Sequence, residues 1–223
     1  ITIYRMVFGF PAPIILALML NEIRNGRFKR IIQSTSYLPH FVSWIVVAYM
    51  LQTMLALDTG VVNSAFSFFG MEQTNFMGEP SYFRFIIVSS GIWKEIGWGT
   101  IIYLAALASI SQEQLESAML DGAGRFARIW HINLPGIMPT IAILLILQMP
   151  GLLSAGYEQI YPLVNPGNLE VSNVLDVYLI TLGLTQSQYS VATAIGLISS
   201  SVQLFLVLSV NYMIKKQGQD GIW

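Results

Sequence analysis

The sequence predicts an all-α protein that crosses a membrane several times. Of 223 residues, 54% are hydrophobic and only 10% are charged, whereas a soluble domain carries about 25% charged residues. Mean hydropathy is +0.61. Apolar runs close to the roughly 20 residues that span a bilayer recur along the chain. They do not alternate in the short segments of a membrane β-barrel.

The same composition excludes other classes. Disorder needs low hydrophobicity and high charge. With no cysteine there is neither a disulfide scaffold nor a thiolate zinc site, and His40 and His131 lie too far apart in sequence to suggest a metal centre. A net charge of −1 offers no basic field for nucleic acid.

Five spans are read in order: residues 2–20, 40–57, 83–108, 139–155 and 189–214. The second and fourth are short. Ile1 already lies in an apolar run with no charged leader and cleavage site ahead of it, so no signal peptide is read. Basic residues orient the spans. Arg24, Arg27, Lys29 and Arg30 follow the first, Arg125 and Arg128 precede the fourth, and Lys215 and Lys216 follow the fifth. The connections 59–82 and 156–188 contain no Lys or Arg. The positive-inside rule makes the basic set cytoplasmic, with the C-terminus inside and Ile1 near the outer face. An odd number of spans then predicts at least one further helix upstream.

Gly60, Asn63, Gly70, Asn75, Gly78 and Pro80 make 59–82 read as a loop. Residues 171–184 place Val174, Leu175, Tyr178 and Leu182 on one helical face, the pattern of a short amphipathic helix. No internal repeat, low-complexity run or linker divides the chain, so 1–223 reads as a single transmembrane domain.

The cytoplasmic loop 111–135 is the most informative stretch. Ser111 with Gln114 fits a capping box and starts a helix. Leu115, Ala118, Met119 and Gly122 form a helical stripe. Gly122 and Gly124 suit a left-handed helix end. A second short helix carries Phe126, Ile129 and Trp130 beside Arg125 and Arg128, and Pro135 stops or restarts the chain. The product is a helix-turn-helix offering small and apolar residues outward.

This loop reads Glu116-Ser117-Ala118, three residues, Gly122, nine residues, Ile132, one residue, Leu134-Pro135. It resembles the EAA motif of permease subunits of binding-protein-dependent ABC importers, with the MetI-like fold. Ser117 stands where the family usually has Ala, a small-for-small exchange. Phe8-Gly9-Phe10-Pro11-Ala12-Pro13, Asn21-Glu22-Ile23-Arg24, Tyr37-Leu38-Pro39-His40-Phe41 and Ala155-Gly156-Tyr157-Glu158-Gln159-Ile160 are similar to the carbohydrate branch. Within it they resemble lipo-oligosaccharide, aldouronate, rhamnogalacturonan and alginate permeases. That family typically has six core spans, which again implies one N-terminal helix beyond these five.

The resemblance implies a mechanism. Loop 111–135 would be the coupling helix seated in an ATPase subunit, with Glu116, Ser117, Ala118, Asp121, Gly122, Ala123, Arg125, Ile132, Leu134 and Pro135 as the coupling set. Glu116 would pair with a basic residue of the ATPase, and Gly122 would allow the close turn. Two ATPase subunits, a second and related permease, and an extracellular or periplasmic solute-binding protein would complete the transporter in a bacterial plasma membrane. An oligosaccharide would be the substrate. ATP and Mg would sit on the ATPase, with no cofactor on this chain. The chain contains no G-x-x-x-x-G-K-[ST] and is not read as an enzyme.

Polar residues inside the spans mark the expected path. Lys94 and Glu95 lie about 15 Å along the third span from Arg84, where a charge is costly. They either line the path or the contact with a second permease subunit, or they satisfy each other or a neighbouring helix. Lying about 100° apart on the helix, they are expected to have different partners. Pro150-Gly151 breaks the fourth span. Gln148, Tyr157, Glu158, Gln159 and Tyr161 lie on or beyond the break and join aromatic faces to polar groups, as sugar recognition requires. An interfacial belt is the plainer reading of the tyrosines. His40 reads as a residue starting the second span, and His131 as a contact to the ATPase or to headgroups. Trp44, Trp93, Trp98, Trp130 and Trp223 read as anchors or packing. Competing readings are an ABC importer of amino acids or phosphate and an ion-coupled transporter, which usually shows a repeat. An intramembrane hydrolase lacks an apparent nucleophile–base pair.

Overall fold

The computed structural model describes residues 1–23, 25–216, 218 and 221–222. Arg24 of the basic set and Trp223 of the expected anchors lie outside them. The described residues form helices joined by turns and loops, without a β-strand. In chain order the helices are α1 (Thr2–Asn21), α2 (Gly26–Tyr37), α3 (Trp44–Met54), α4 (Val61–Phe68), α5 (Pro80–Ala108) and α6 (Gln112–Leu120). There follow α7 (Arg125–Gly136), α8 (Met138–Leu152), α9 (Tyr157–Ile160), α10 (Leu169–Ser172), α11 (Leu175–Thr185) and α12 (Tyr189–Lys216).

Two of these, α1 with 20 residues and α12 with 28, are long and apolar enough to cross a membrane. The α7–α8 pair, bent by 59°, makes a third if it acts as one span. Helix α5 has 29 residues, about 43 Å of rise, and carries Lys94 and Glu95 in its middle. The second expected span holds only the 11 residues of α3, roughly half the thickness of a hydrocarbon core. Residues Leu38–Phe41 ahead of it form a 3-10 turn. Ser43 then caps α3 by accepting from the Val46 N–H at 3.4 Å.

Prolines account for several irregularities. Pro11 and Pro13 bring no N–H to the carbonyls of Val7 and Gly9. Residues Arg5–Gly9 widen into a π turn just ahead of them. Of the two roles expected of Pro135, stopping or restarting the chain, the structure shows the second: it sits in the first turn of the α-helical segment Leu134–Gly136. Residues Ile129–Asn133 open into a π turn, the chain stays helical to Gly136, and the break falls at Ile137. The expected break at Pro150-Gly151 is a 3-10 turn over Met149–Leu152 that ends the fourth span before residue 155.

The chain divides into two compact units, each built from three separate stretches. The first comprises Ile1–Arg5, Phe41–Gly91 and Gly151–Val202. Its core packs Phe83 and Ile87 of α5 with Ala48 of α3, Ile160, Leu163, Val171 and Val177. Asparagines tie its connections down. Asn63 is fully buried and donates to the Ala56 and Thr74 carbonyls at 3.0 Å each, while its Oδ1 accepts from the Thr74 N–H. That anchor ties down α4, a helix where the sequence reads as loop, with Asn63 as its buried residue. Asn168, also buried, donates to the Met77 and Leu163 carbonyls. The expected amphipathic helix begins at Leu175, and Val177, Leu182 and Gly183 are its buried positions, whereas Tyr178 is exposed. An apolar core behind the helix selects Val177 over Tyr178.

The second unit comprises Met6–His40, Ile92–Pro150 and Gln203–Trp223. Ile14 and Ala17 of α1 pack on Tyr103 and Leu107 of α5 and on Ile137. Ala142 and Ile146 of α8 pack on Ile214 of α12. Small residues let α5 approach closely. A Cβ on Gly97 would overlap the Ser36 carbonyl. Gly99 faces Pro13, and Thr100 Oγ1 donates to the Pro13 carbonyl at 3.2 Å.

Candidate functional site

Loop 111–135 forms the expected helix-turn-helix. Ser111 is the N-cap of α6, but its side chain makes no capping hydrogen bond. Glu113 supplies the favourable first-turn charge instead. At the other end the Ala123 N–H bonds the Ala118 carbonyl at 2.8 Å and the Gly122 N–H bonds the Met119 carbonyl at 3.1 Å. This is a Schellman closure, and Gly122 takes the left-handed conformation it requires, with φ +80°. Gly124 does not end α6. It is extended, with φ −68° and ψ 171°, and opens α7.

The expected coupling set separates by position. Ser117, Ala118, Asp121, Ile132 and Pro135 line one recess of about 680 Å³, together with Glu113 and His131. Glu116 is exposed and does not line it. Leu120 and Phe126 are 89% and 88% exposed, and Trp130 is also exposed. Leu134 packs instead against the core around Ile14 and Tyr103. Arg125 and Arg128 both approach the carboxylate of Glu22, at 3.9 and 3.7 Å.

Also in the second unit, Lys94 and Glu95 share a partner. Glu95 Oε2 is 2.8 Å from His40 Nδ1, and Lys94 Nζ donates to the His40 carbonyl at 2.6 Å. The two side chains approach to 3.4 Å. Their divergent directions are reconciled because His40 presents its ring to one and its backbone to the other. The imidazole stacks on Trp98, with centroids 4.4 Å apart and planes 2° from parallel. His40 is therefore a structural hub rather than only the start of a span.

In the first unit, Tyr157, Glu158 and Gln159 line a cavity of about 480 Å³ with Arg5, Trp44 and Asp176. An adjoining cavity of about 330 Å³ is lined by Trp44, Tyr157, Glu158 and Tyr161. The Tyr157 and Tyr161 rings lie 6.2 Å apart. The wall is held from both sides. Arg5 donates to the Ala155 carbonyl and to Gln159 Oε1. Asp176 Oδ2 accepts from Ser154 Oγ at 2.9 Å and from the Gly156 N–H at 3.0 Å. Gln159 is 2% exposed and its amide nitrogen bonds the Ile87 carbonyl and Ser90 Oγ. It braces the wall, whereas Tyr157, Glu158 and Tyr161 remain open. Gln148 is exposed at the end of its α-helical turn run and lines neither cavity.

Residues 9–218 match the model of the binding-protein-dependent transport system inner membrane component. The chain belongs to this family. Protein LplB of Bacillus subtilis (strain 168) is 47% identical over 98% of this chain and 69% of its own length. The polygalacturonan/rhamnogalacturonan transport system permease protein YteP of the same organism is 44% identical over 98% of this chain and 68% of its own. A crystal structure of a bacterial alginate ABC transporter, in complex with an alginate pentasaccharide-bound periplasmic protein, contains a similar chain. That chain superposes with TM-score 0.96 at 41% identity, covering 99% of this chain and 77% of that one.

In this inner membrane component, several site residues escape a reading by motif. Arg5 is a lone charge in an apolar run, a signal that was available. Asp176 and Ser154 carry none, because their roles arise from partners distant in sequence, and Glu22 stands out only as part of the segment Asn21-Glu22-Ile23-Arg24. Trp44 has the composition of an anchor and becomes a cavity wall only through the position of α9.

Proposed function

We propose that the chain is the membrane-spanning permease of an ATP-driven oligosaccharide importer, working by alternating access. The observation that carries this is the closed turn at Gly122 in loop 111–135. It holds α6 as a short rigid element beside a recess, with large apolar side chains exposed around it. A cytoplasmic ATPase that docks there can move the loop as one body. Glu116 is the residue available for a basic partner on the ATPase, which holds ATP and its Mg. The basic residues after the first span, in loop 111–135 and at the end of α12 support a cytoplasmic C-terminus. Two ATPase subunits, a related second permease and a binding protein complete the assembly.

On the substrate side, Trp44, Tyr157 and Tyr161 offer aromatic faces and Glu158 a carboxylate that accepts from hydroxyls. The named relatives favour oligosaccharides of acidic polysaccharides over amino acids or phosphate. The test is uptake of labelled oligogalacturonides and alginate oligosaccharides into vesicles carrying the whole transporter. Uptake is expected to need both ATP and the binding protein. Tyr157→Ala is expected to lower it about five-fold, the equivalent of roughly 1 kcal/mol of aromatic contact. Uptake driven by an ion gradient without ATP would sink the proposal.

A further inference from the structure

Glu22 sits at the C-terminal end of α1, where the helix dipole disfavours a carboxylate. Nothing in α1 itself accounts for a negative charge there. Its partners lie in loop 111–135. Glu22 Oε2 stands 3.7 Å from Arg128 Nη2 and 3.9 Å from Arg125 Nε. The Glu22 and Arg128 side chains are only 22% and 16% exposed, whereas that of Arg125 is 64% exposed. Arg128 reaches further, because its Nη1 donates to the Ala123 carbonyl at 3.4 Å. Ala123 is the residue that completes the Schellman closure after Gly122. One carboxylate is thus linked through one guanidinium to the backbone of the turn.

We infer that Glu22 is a positioning residue for energy coupling. It clamps the turn of the coupling loop to the end of α1, so that displacement of the loop is passed directly to the first span. Without the clamp the loop has its own helices and its own closure, and can still dock. What it loses is a charged tie to a membrane helix other than the one it leads into. The inference rests on the importer reading and adds the route by which motion leaves the loop.

The test uses the complete transporter in vesicles, with sugar imported per ATP hydrolysed as the readout. Glu22→Gln and Arg128→Gln are compared with the exchange Glu22→Arg/Arg128→Glu. Each single variant is expected to retain the ATPase on purification and to melt near the parent. Its sugar-to-ATP ratio is expected to fall about five-fold or more, the lower range of allosteric coupling. The exchange is expected to recover much of that ratio. An unchanged ratio in Glu22→Gln overturns the clamp. So does a loss of uptake that merely tracks lost folded protein and is not recovered by the exchange. If the unmodified chain binds no ATPase, the importer reading fails first, before any variant is made, and the clamp falls with it.

Discussion

Gln159 Nε2 donates to the Ile87 carbonyl at 2.8 Å, across 72 positions of sequence. The same amide nitrogen bonds Ser90 Oγ at 2.9 Å, and its oxygen accepts from Arg5. One buried side chain therefore joins the N-terminal part of α5, the start of α1 and the wall of the candidate sugar cavity. Gln159→Leu keeps the approximate volume and removes every one of these bonds. Arg5 loses an acceptor in a part-buried setting, which costs roughly 1–3 kcal/mol. The melting temperature of the purified protein is expected to drop, and that of Tyr157→Phe to stay near the parent. Equal melting of Gln159→Leu and the parent would show that the network is dispensable.

The contact of Gly97 with Ser36 sets a second expectation. The obstructing group is a backbone carbonyl, so no rotamer change can relieve an added methyl. Overpacking of this kind costs about 1–3 kcal/mol or more. Gly97→Ala is expected to lower the yield of folded protein sharply. Gly26→Ala, where a Cβ meets nothing within 4 Å, is expected to behave as the parent. Size-exclusion profiles in detergent distinguish the two.

These contacts mark where the sequence stops being readable. The ends of α5 and α12 follow from apolar runs, and the two-helix form of loop 111–135 follows from the left-handed turn at Gly122. Local rules suffice there because each helix is specified by its own residues. Residues 59–82 read as loop because Gly and Asn dominate locally. The anchoring of α4 depends on Asn63 reaching the Ala56 and Thr74 carbonyls. Gln159 looks like a hydroxyl contact and proves to be a brace, because Arg5 and Ile87 lie far from it in sequence. Pro135 reads as a stop or a restart, and the π turn ahead of it decides for the restart, since in the first turn of Leu134–Gly136 its missing N–H costs little.

The buried ammonium of Lys94 gives a third prediction. It is 5% exposed, and the Glu95 carboxylate lies 3.4 Å from it. Glu95→Ala takes that carboxylate away from a buried cation and from His40 Nδ1, which it meets at 2.8 Å. Breaking a buried pair from one side is more damaging than replacing both members. Glu95→Ala is therefore expected to be less stable than Lys94→Met/Glu95→Ala, by about 1 kcal/mol or more after allowance for the half-exposed carboxylate. Thermal melts of both variants in the same detergent check the order. A double variant that is worse than the single would mean that Lys94 serves the fold mainly through the His40 carbonyl.

The turn at Gly122 separates conformation from bulk. A Cβ there meets nothing within 4 Å, so size is not what this chain by itself forbids. The backbone is at φ +80°, which costs a non-glycine residue about 1–2 kcal/mol and a β-branched one more. Asn tolerates the left-handed region better than Val. If conformation alone matters, Gly122→Asn should keep the turn and the ATPase, while Gly122→Val should open the bonds from Ala123 and Gly122 and release the ATPase on purification. If instead a docked surface lies against Gly122, both variants should lose the ATPase, because each adds a side chain where that surface must sit. Co-purification of the ATPase with the two variants decides between these outcomes, and retention by both would remove the turn from the coupling mechanism.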